Sequence, residues 1–197
     1  MVIQIDSRES NNKKIKEYFD SIGQEYFVSK LPCGDYANPQ NMKIIIELKH
    51  SHNDGLGELV TNLCRSVNHQ RFVNEINLSK KIGVEHFIIL VASKDITSLD
   101  EVHLWKNKYG KVKPFVLEKI MKTLKEKYCV EFVFCKPDEC GKKIIELLGA
   151  KEWKKKKDGV MAVVKQKYWI RKIGHGLIKN ILDLKQNVEN VPIMKAW

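Results

Sequence analysis

Three side chains able to support phosphodiester hydrolysis fall close together in the chain: Asp35, Glu47 and Lys49. Cutting that bond needs a divalent cation to neutralise developing charge and lower the pKa of the attacking water. Magnesium does this with a few carboxylates and several retained waters. Glu47 and Lys49 lie two apart in residues 43–49 (KIIIELK), a β-prone run too apolar to sit exposed on both faces. Successive strand residues point to opposite faces, so Glu47 and Lys49 share one surface while Leu48 turns to the other with Ile44 and Ile46. Asp35 follows a break at Pro32-Cys33-Gly34, where a hairpin folds it back beside Glu47. An Asp, a gap of eleven residues and Glu-x-Lys can therefore bring two carboxylates together with an ammonium beside them. The plainer alternative for Glu47-Leu48-Lys49 is an ion pair on an edge strand.

The elements that must carry these residues alternate in type. Residues 2–5 form a short β-prone run, and Ile15, Tyr18, Phe19 and Ile22 fall at helical spacing over 11–23, with Gly23 as the stop. Residues 25–31 return to strand character. Over 55–82, Leu56, Leu59, Leu63 and Val67, then Phe72 and Ile76, follow helical periods that fit one long helix or two consecutive ones, ended by Gly83. A buried strand over 86–92, a helix over 114–128, a strand over 130–135 and a short helix over 141–148 complete the pattern. It predicts an α/β domain over 1–150, a central mixed sheet with helices on its faces.

Composition narrows the class. With 43% hydrophobic and 30% charged residues, the 197-residue chain reads as soluble and globular. It has no apolar window long enough to cross a bilayer, and its N-terminus lacks a signal-peptide layout, so an intracellular protein without a membrane partner is expected. The five cysteines are odd in number and free of CxxC pairs, which argues for buried thiols over disulfides or zinc. Residues 151–197 hold 12 Lys/Arg against 4 Asp/Glu, whereas 1–150 hold 23 against 20. The base is concentrated in the tail, after a hinge-like Lys154–Lys157 run. A cationic segment of this kind meets nucleic acid or forms a solvated face.

Further residues add to the first three. Ile5-Asp6-Ser7-Arg8-Glu9, Leu31-Pro32-Cys33-Gly34-Asp35-Tyr36, Ile46-Glu47-Leu48-Lys49 and Arg71-Phe72-x-x-Glu75 occur in one order. Together they resemble the PD-(D/E)XK nuclease domain of the XPF/Hef group of structure-specific endonucleases. The hallmark of that group is D-x-R-E, V-G-D-Y, E-R-K-x-x-x-D and R-[FL] in succession. The resemblance covers residues 2 to about 148. It implies a restriction-endonuclease-like fold, magnesium with manganese as a substitute, branched DNA such as flaps or forks as partner, and a homodimer or related subunit. Residue by residue it assigns Asp6, Asp35 and Glu47 to the metal, Lys49 to the water, Arg8 and Glu9 to the edge of the active site, and Arg71 to the site or a phosphate. Two positions depart from the pattern: the arginine of ERK is Leu48, and the acid expected six after Glu47 is Asn53, with Asp54 one place late. Since Leu48 faces away from Glu47 and Lys49, metal binding is expected to survive. Crowding Asp6, Glu9, Asp35 and Glu47 is costly without a cation, which favours a metal site over a structural cluster.

In the tail, residues 170–182 look like a helix-hairpin-helix element in which Lys172, Gly174, Gly176 and Lys179 meet DNA phosphates, although His175 replaces the apolar residue between the glycines. A basic amphipathic helix pair is the alternative. His50 and His52 read as loop histidines without the partners a zinc site needs. Trp105, among Lys106, Lys108, Lys111 and Lys113, either stacks on a base or sits half-buried in a surface loop. The leading expectation is cleavage of branched DNA in repair or recombination. A junction resolvase or other repair nuclease would keep the fold, and a non-catalytic DNA-binding scaffold would have lost the chemistry through the degenerate ERK motif.

Overall fold

A computed structural model describes residues 1–51, 54–108 and 112–149. Runs rich in β-branched and aromatic residues form strands β1 (Ile3–Ile5), β2 (Tyr26–Val28), β3 (Tyr36–Asn38), β4 (Asn41–Lys49), β5 (His86–Ala92) and β6 (Glu131–Cys135). They make one sheet in the order β2-β1-β3-β4-β5-β6. β3 and β4 are an antiparallel hairpin, and β4, β5 and β6 run parallel. Parallel neighbours need long crossovers, which helices supply. Between β4 and β5 these are α2 (Gly55–Leu63) and α3 (Ser66–Lys81); between β5 and β6 it is α4 (Pro114–Tyr128). The remaining helices, α1 (Lys13–Ser21) and α5 (Cys140–Gly149), pack on each other, and α5 also meets β3 and β4.

The mixed sheet with flanking helices is the α/β architecture the alternating pattern predicts. The 55–82 run resolves as two helices, because Arg65 is extended (φ −108°, ψ 126°) and reorients the chain so that Leu63 and Phe72 enter the same core. The strand expected over 25–31 is ordered as β only at Tyr26–Val28, and a 3₁₀ helix at Leu99–Leu104 has no counterpart in the sequence pattern.

β4 is an interior strand with both faces covered. Ile45 packs with Phe87, Ile89 and Val91 of β5 under Leu59, Ile76 and Met121 of the α2, α3 and α4 layer. Ile44, Ile46 and Leu48 are buried on the other face. Glu47 and Lys49 follow Ile45 on the first face by strand alternation, and Leu48 follows Ile44 and Ile46 as expected. The tail residues Lys172, Gly174, Gly176 and Lys179 lie outside the described residues. Among the described residues, no helix is long and apolar enough to cross a membrane.

Candidate active site at the end of the fourth strand

The β3–β4 hairpin places Asp35. Its approach is set by Gly34, at φ +67°, a region that L side chains rarely adopt. A Cβ there would also collide with Ile45 Cγ2, so two independent constraints require glycine. Asp35 then donates its N–H to the Ile46 carbonyl at 2.8 Å, while its Oδ2 accepts from Leu48 N at 2.7 Å. Its carbonyl accepts from Asp6 N at 2.8 Å, tying β1 to the same point. The side chain is thereby clamped against the backbone of the Glu47–Lys49 segment.

Lys49 Nζ donates to Glu47 Oε1 at 2.7 Å and to Glu58 Oε1 at 3.0 Å, and lies 5.9 Å from the centre of the Phe72 ring. Glu47 and Lys49 are 8% and 5% exposed, so this ion pair belongs to the interior and to a central strand, unlike the edge-strand alternative. Burial pushes the Glu47 carboxyl up to about 7, with Lys49 working against the shift and Glu75 adding to it. Burial and then the Glu47 charge raise Asp35 well above the ordinary carboxylate range. Burial alone would lower Lys49, but Glu47 and Glu58 outweigh it and hold the ammonium above its ordinary value. The result is a pair of mutually repelling carboxylates beside a firmly protonated lysine.

Glu47 and Lys49 open on a cleft of about 590 Å³ whose lining also includes Arg8, Glu58, Arg71 and Glu75. Arg71 is exposed, one helical turn from Glu75 on α3. Glu75 Oε1 accepts from Gly34 N at 2.8 Å, which anchors the turn before Asp35. Glu9 takes Asn11 N at 2.8 Å, with His50 Nε2 at 3.9 Å. The expectation that Asp6 joins Asp35 and Glu47 at a metal meets a carboxylate already saturated by four N–H donors. Its Oδ1 accepts from Arg8 N (2.7 Å) and Nε (2.8 Å), and its Oδ2 from Arg8 Nη2 (2.8 Å) and Leu31 N (2.7 Å). Burial works against the ionised form, but these donors hold Asp6 below its ordinary value. In this arrangement Asp6 braces the exit of β1 and aims Arg8, whose Nη2 also reaches the Leu31 carbonyl.

Glu58 and Glu75 were not singled out by sequence reasoning as site residues. Glu58 lies nine residues beyond Lys49, across a loop, in the first turn of α2. Glu75 had a visible signal, its spacing of four from Arg71 on one helix, which places both on the same face. Asp54, the acid one place late, is engaged elsewhere. Its Oδ1 caps α2 through Leu56 N at 3.2 Å, and its Oδ2 accepts from Trp105 Nε1 at 3.2 Å. Trp105 is 6% exposed within the core, so it is neither a half-buried loop residue nor a surface for stacking bases. His52 and Asn53 lie outside the described residues.

Among the described residues, no three His, Cys, Asp or Glu side chains are gathered as a ready-made metal cage. Magnesium does not require one, since one or two carboxylates with waters suffice. Asp35 Oδ1 and Glu47 Oε2 have no hydrogen-bond partner among the described residues, and neither is sealed from solvent. Two hard, mutually repelling oxygen donors fit a divalent cation.

The mixed six-stranded sheet with flanking helices has the fold of an XPF-type nuclease. XPF from Aeropyrum pernix, including its complex with DNA, matches with a TM-score of 0.53 and 18% identity. That match covers 75% of this chain and 63% of that one. No curated protein matches. The ERCC4 domain family matches residues 5–148, and the chain belongs to that family.

Proposed function

We propose that this chain is a magnesium-dependent endonuclease that hydrolyses phosphodiesters in branched DNA such as flaps and forks. The observation that carries the reading is the buried Asp35–Glu47–Lys49 group, in which two carboxylates with raised pKa each retain an uncommitted oxygen. Asp35 and Glu47 would hold the cation, with manganese as a substitute. The bound cation would supply charge neutralisation and a water acidic enough to attack near neutral pH. Lys49, kept protonated by its carboxylate partners, serves as a fixed positive charge that orients the water and does not act as a base.

Arg71 and Arg8 face the cleft and would take the phosphates flanking the scissile bond, with Arg8 aimed by Asp6. Asp6 acts as a brace in this mechanism, and Glu9 stands at the edge of the site. Lys172, Gly174, Gly176 and Lys179 would add backbone contacts to the duplex arm, as a single hairpin element. A second copy or a related subunit is the proposed protein partner. Leu48 does not weaken the reading, because its side chain is buried among apolar residues on the face away from the cleft.

The test is cleavage of labelled flap, fork, four-way-junction and plain duplex DNA in magnesium or manganese by the native chain and by Glu47→Ala. Cutting of branched DNA is expected, with a loss of at least about 100-fold in the variant. Binding without cutting in either metal would replace this reading with a DNA-binding scaffold. Cutting restricted to four-way junctions would favour a resolvase.

A further inference from the structure

Lys49 has two anionic partners, and they are committed differently. Glu58 is used on both oxygens: Oε1 accepts from Lys49 Nζ, while Oε2 accepts from His50 N at 3.2 Å, Ser51 N at 3.3 Å and Ser51 Oγ at 3.0 Å. It is a fixed splint between α2 and the chain leaving β4. Glu47 has only Oε1 engaged, by the same ammonium. The two neighbouring positions add no further acid to the cleft, since position 53 is an asparagine and Asp54 is occupied by Leu56 and Trp105.

A buried ammonium needs a counter-ion, because an uncompensated interior charge is strongly destabilising. If Glu47 were the sole partner of Lys49, a divalent cation on the free Oε2 would compete with the lysine for the charge of the same carboxylate. A second, immobile carboxylate removes that competition. When Glu47 turns toward a cation, Lys49 keeps Glu58 and stays where it is.

We propose that Glu58 is a positioning residue that anchors Lys49 in the cleft and so leaves Glu47 available to the cation. This rests on the metal site put forward above. It concerns a restraint acting through Lys49, which separates it from simple attraction between Glu58 and a cation. Direct attraction would act whether or not the lysine is present; the restraint would not.

The experiment is direct titration of the 197-residue chain with Mn²⁺, read by the electron paramagnetic resonance signal of the free ion, without DNA. Native protein, Glu58→Gln, Lys49→Met and the double variant form a cycle, with thermal melting as the check on folding. Glu58→Gln is expected to weaken Mn²⁺ binding about tenfold when Lys49 is present and less than about twofold when it is Met. Glu58→Asp should recover part of the loss. Ser51→Ala, which removes one Glu58 contact without touching Lys49, should leave binding unchanged. Lys49→Gln substitutes for Lys49→Met if the latter does not fold. An equal loss in both backgrounds, or none in either, overturns the role assigned to Glu58. Undiminished Mn²⁺ binding by Glu47→Ala instead overturns the metal site itself.

Discussion

One strand, β4, presents two contrasting faces. Its odd-numbered end residues, Glu47 and Lys49, are buried as charges and opened to a cleft, with Lys49 held by Glu58. Its even-numbered residues, Ile44, Ile46 and Leu48, are buried as hydrocarbon. On that apolar side the opposing strand carries Tyr36, fully buried, with a hydroxyl that has no hydrogen-bond partner among the described residues. The charged end of the first face carries unfavourable repulsion between carboxylates, while the core around Ile45 on that same face and the apolar residues of the other face supply stability. Because a strand separates its two sides by one residue, such different roles can sit next to each other without mixing. Leu48 illustrates this: it occupies the middle of an Asp, Glu-x-Lys motif and yet belongs to the core.

The sharpest test of that separation is Leu48→Ala. It should cost about 2–5 kcal/mol in urea denaturation, the usual effect of emptying a buried leucine site. Mn²⁺ binding measured well below the melting temperature should not change; a weakened affinity there would show that the two faces are coupled. Gly34→Ala attacks the junction of the faces. Positive φ and the collision with Ile45 together predict a loss of about 2 kcal/mol or more, accompanied by weaker Mn²⁺ binding as Asp35 shifts.

A smaller effect concerns pH. The Glu47 carboxyl rises from 4.5 to about 7 on folding. Between those values the native state therefore keeps a proton that the unfolded chain has released. The sign follows: this contribution to stability is full below about 4.5 and is lost as pH rises through about 7, and the raised Asp35 acts in the same direction. Metal-free protein should thus lose several degrees of melting temperature, about 5–10 °C, between pH 5 and pH 8. Glu47→Gln should flatten that slope, and an unchanged slope would remove Glu47 from the titrating set. Least of all, Tyr36→Phe should be neutral or stabilising by up to about 1 kcal/mol, because it deletes a buried hydroxyl without orphaning a partner. A clear destabilisation would reveal a partner for that hydroxyl and a polar function on the apolar face.

The alternation of β4 was legible from sequence because a period of two depends only on local backbone geometry. The same holds for β5 and α4, whose bounds at His86–Ala92 and Pro114–Tyr128 coincide with the apolar run and with the proline start. The break at Pro32–Gly34 marked only the approach to Asp35, where Gly34 adopts a positive φ; the hairpin that lays Asp35 against β4 turns at residues 39–40. Tertiary structure decided what surrounds each acid. Asp6 and Asp54 are carboxylates of the expected type near the expected positions, but one is saturated by Arg8 and Leu31 N and the other by an α2 cap and Trp105, 51 residues away. Glu58 and Glu75 reach the site across a loop and across 41 residues, through contacts that no local period encodes. The chain by itself fixes where a side chain points relative to its own backbone. Which donors and charges surround it is settled only when distant segments close around it, and that surrounding determines whether a carboxylate is a brace, a cap, an anchor or a ligand.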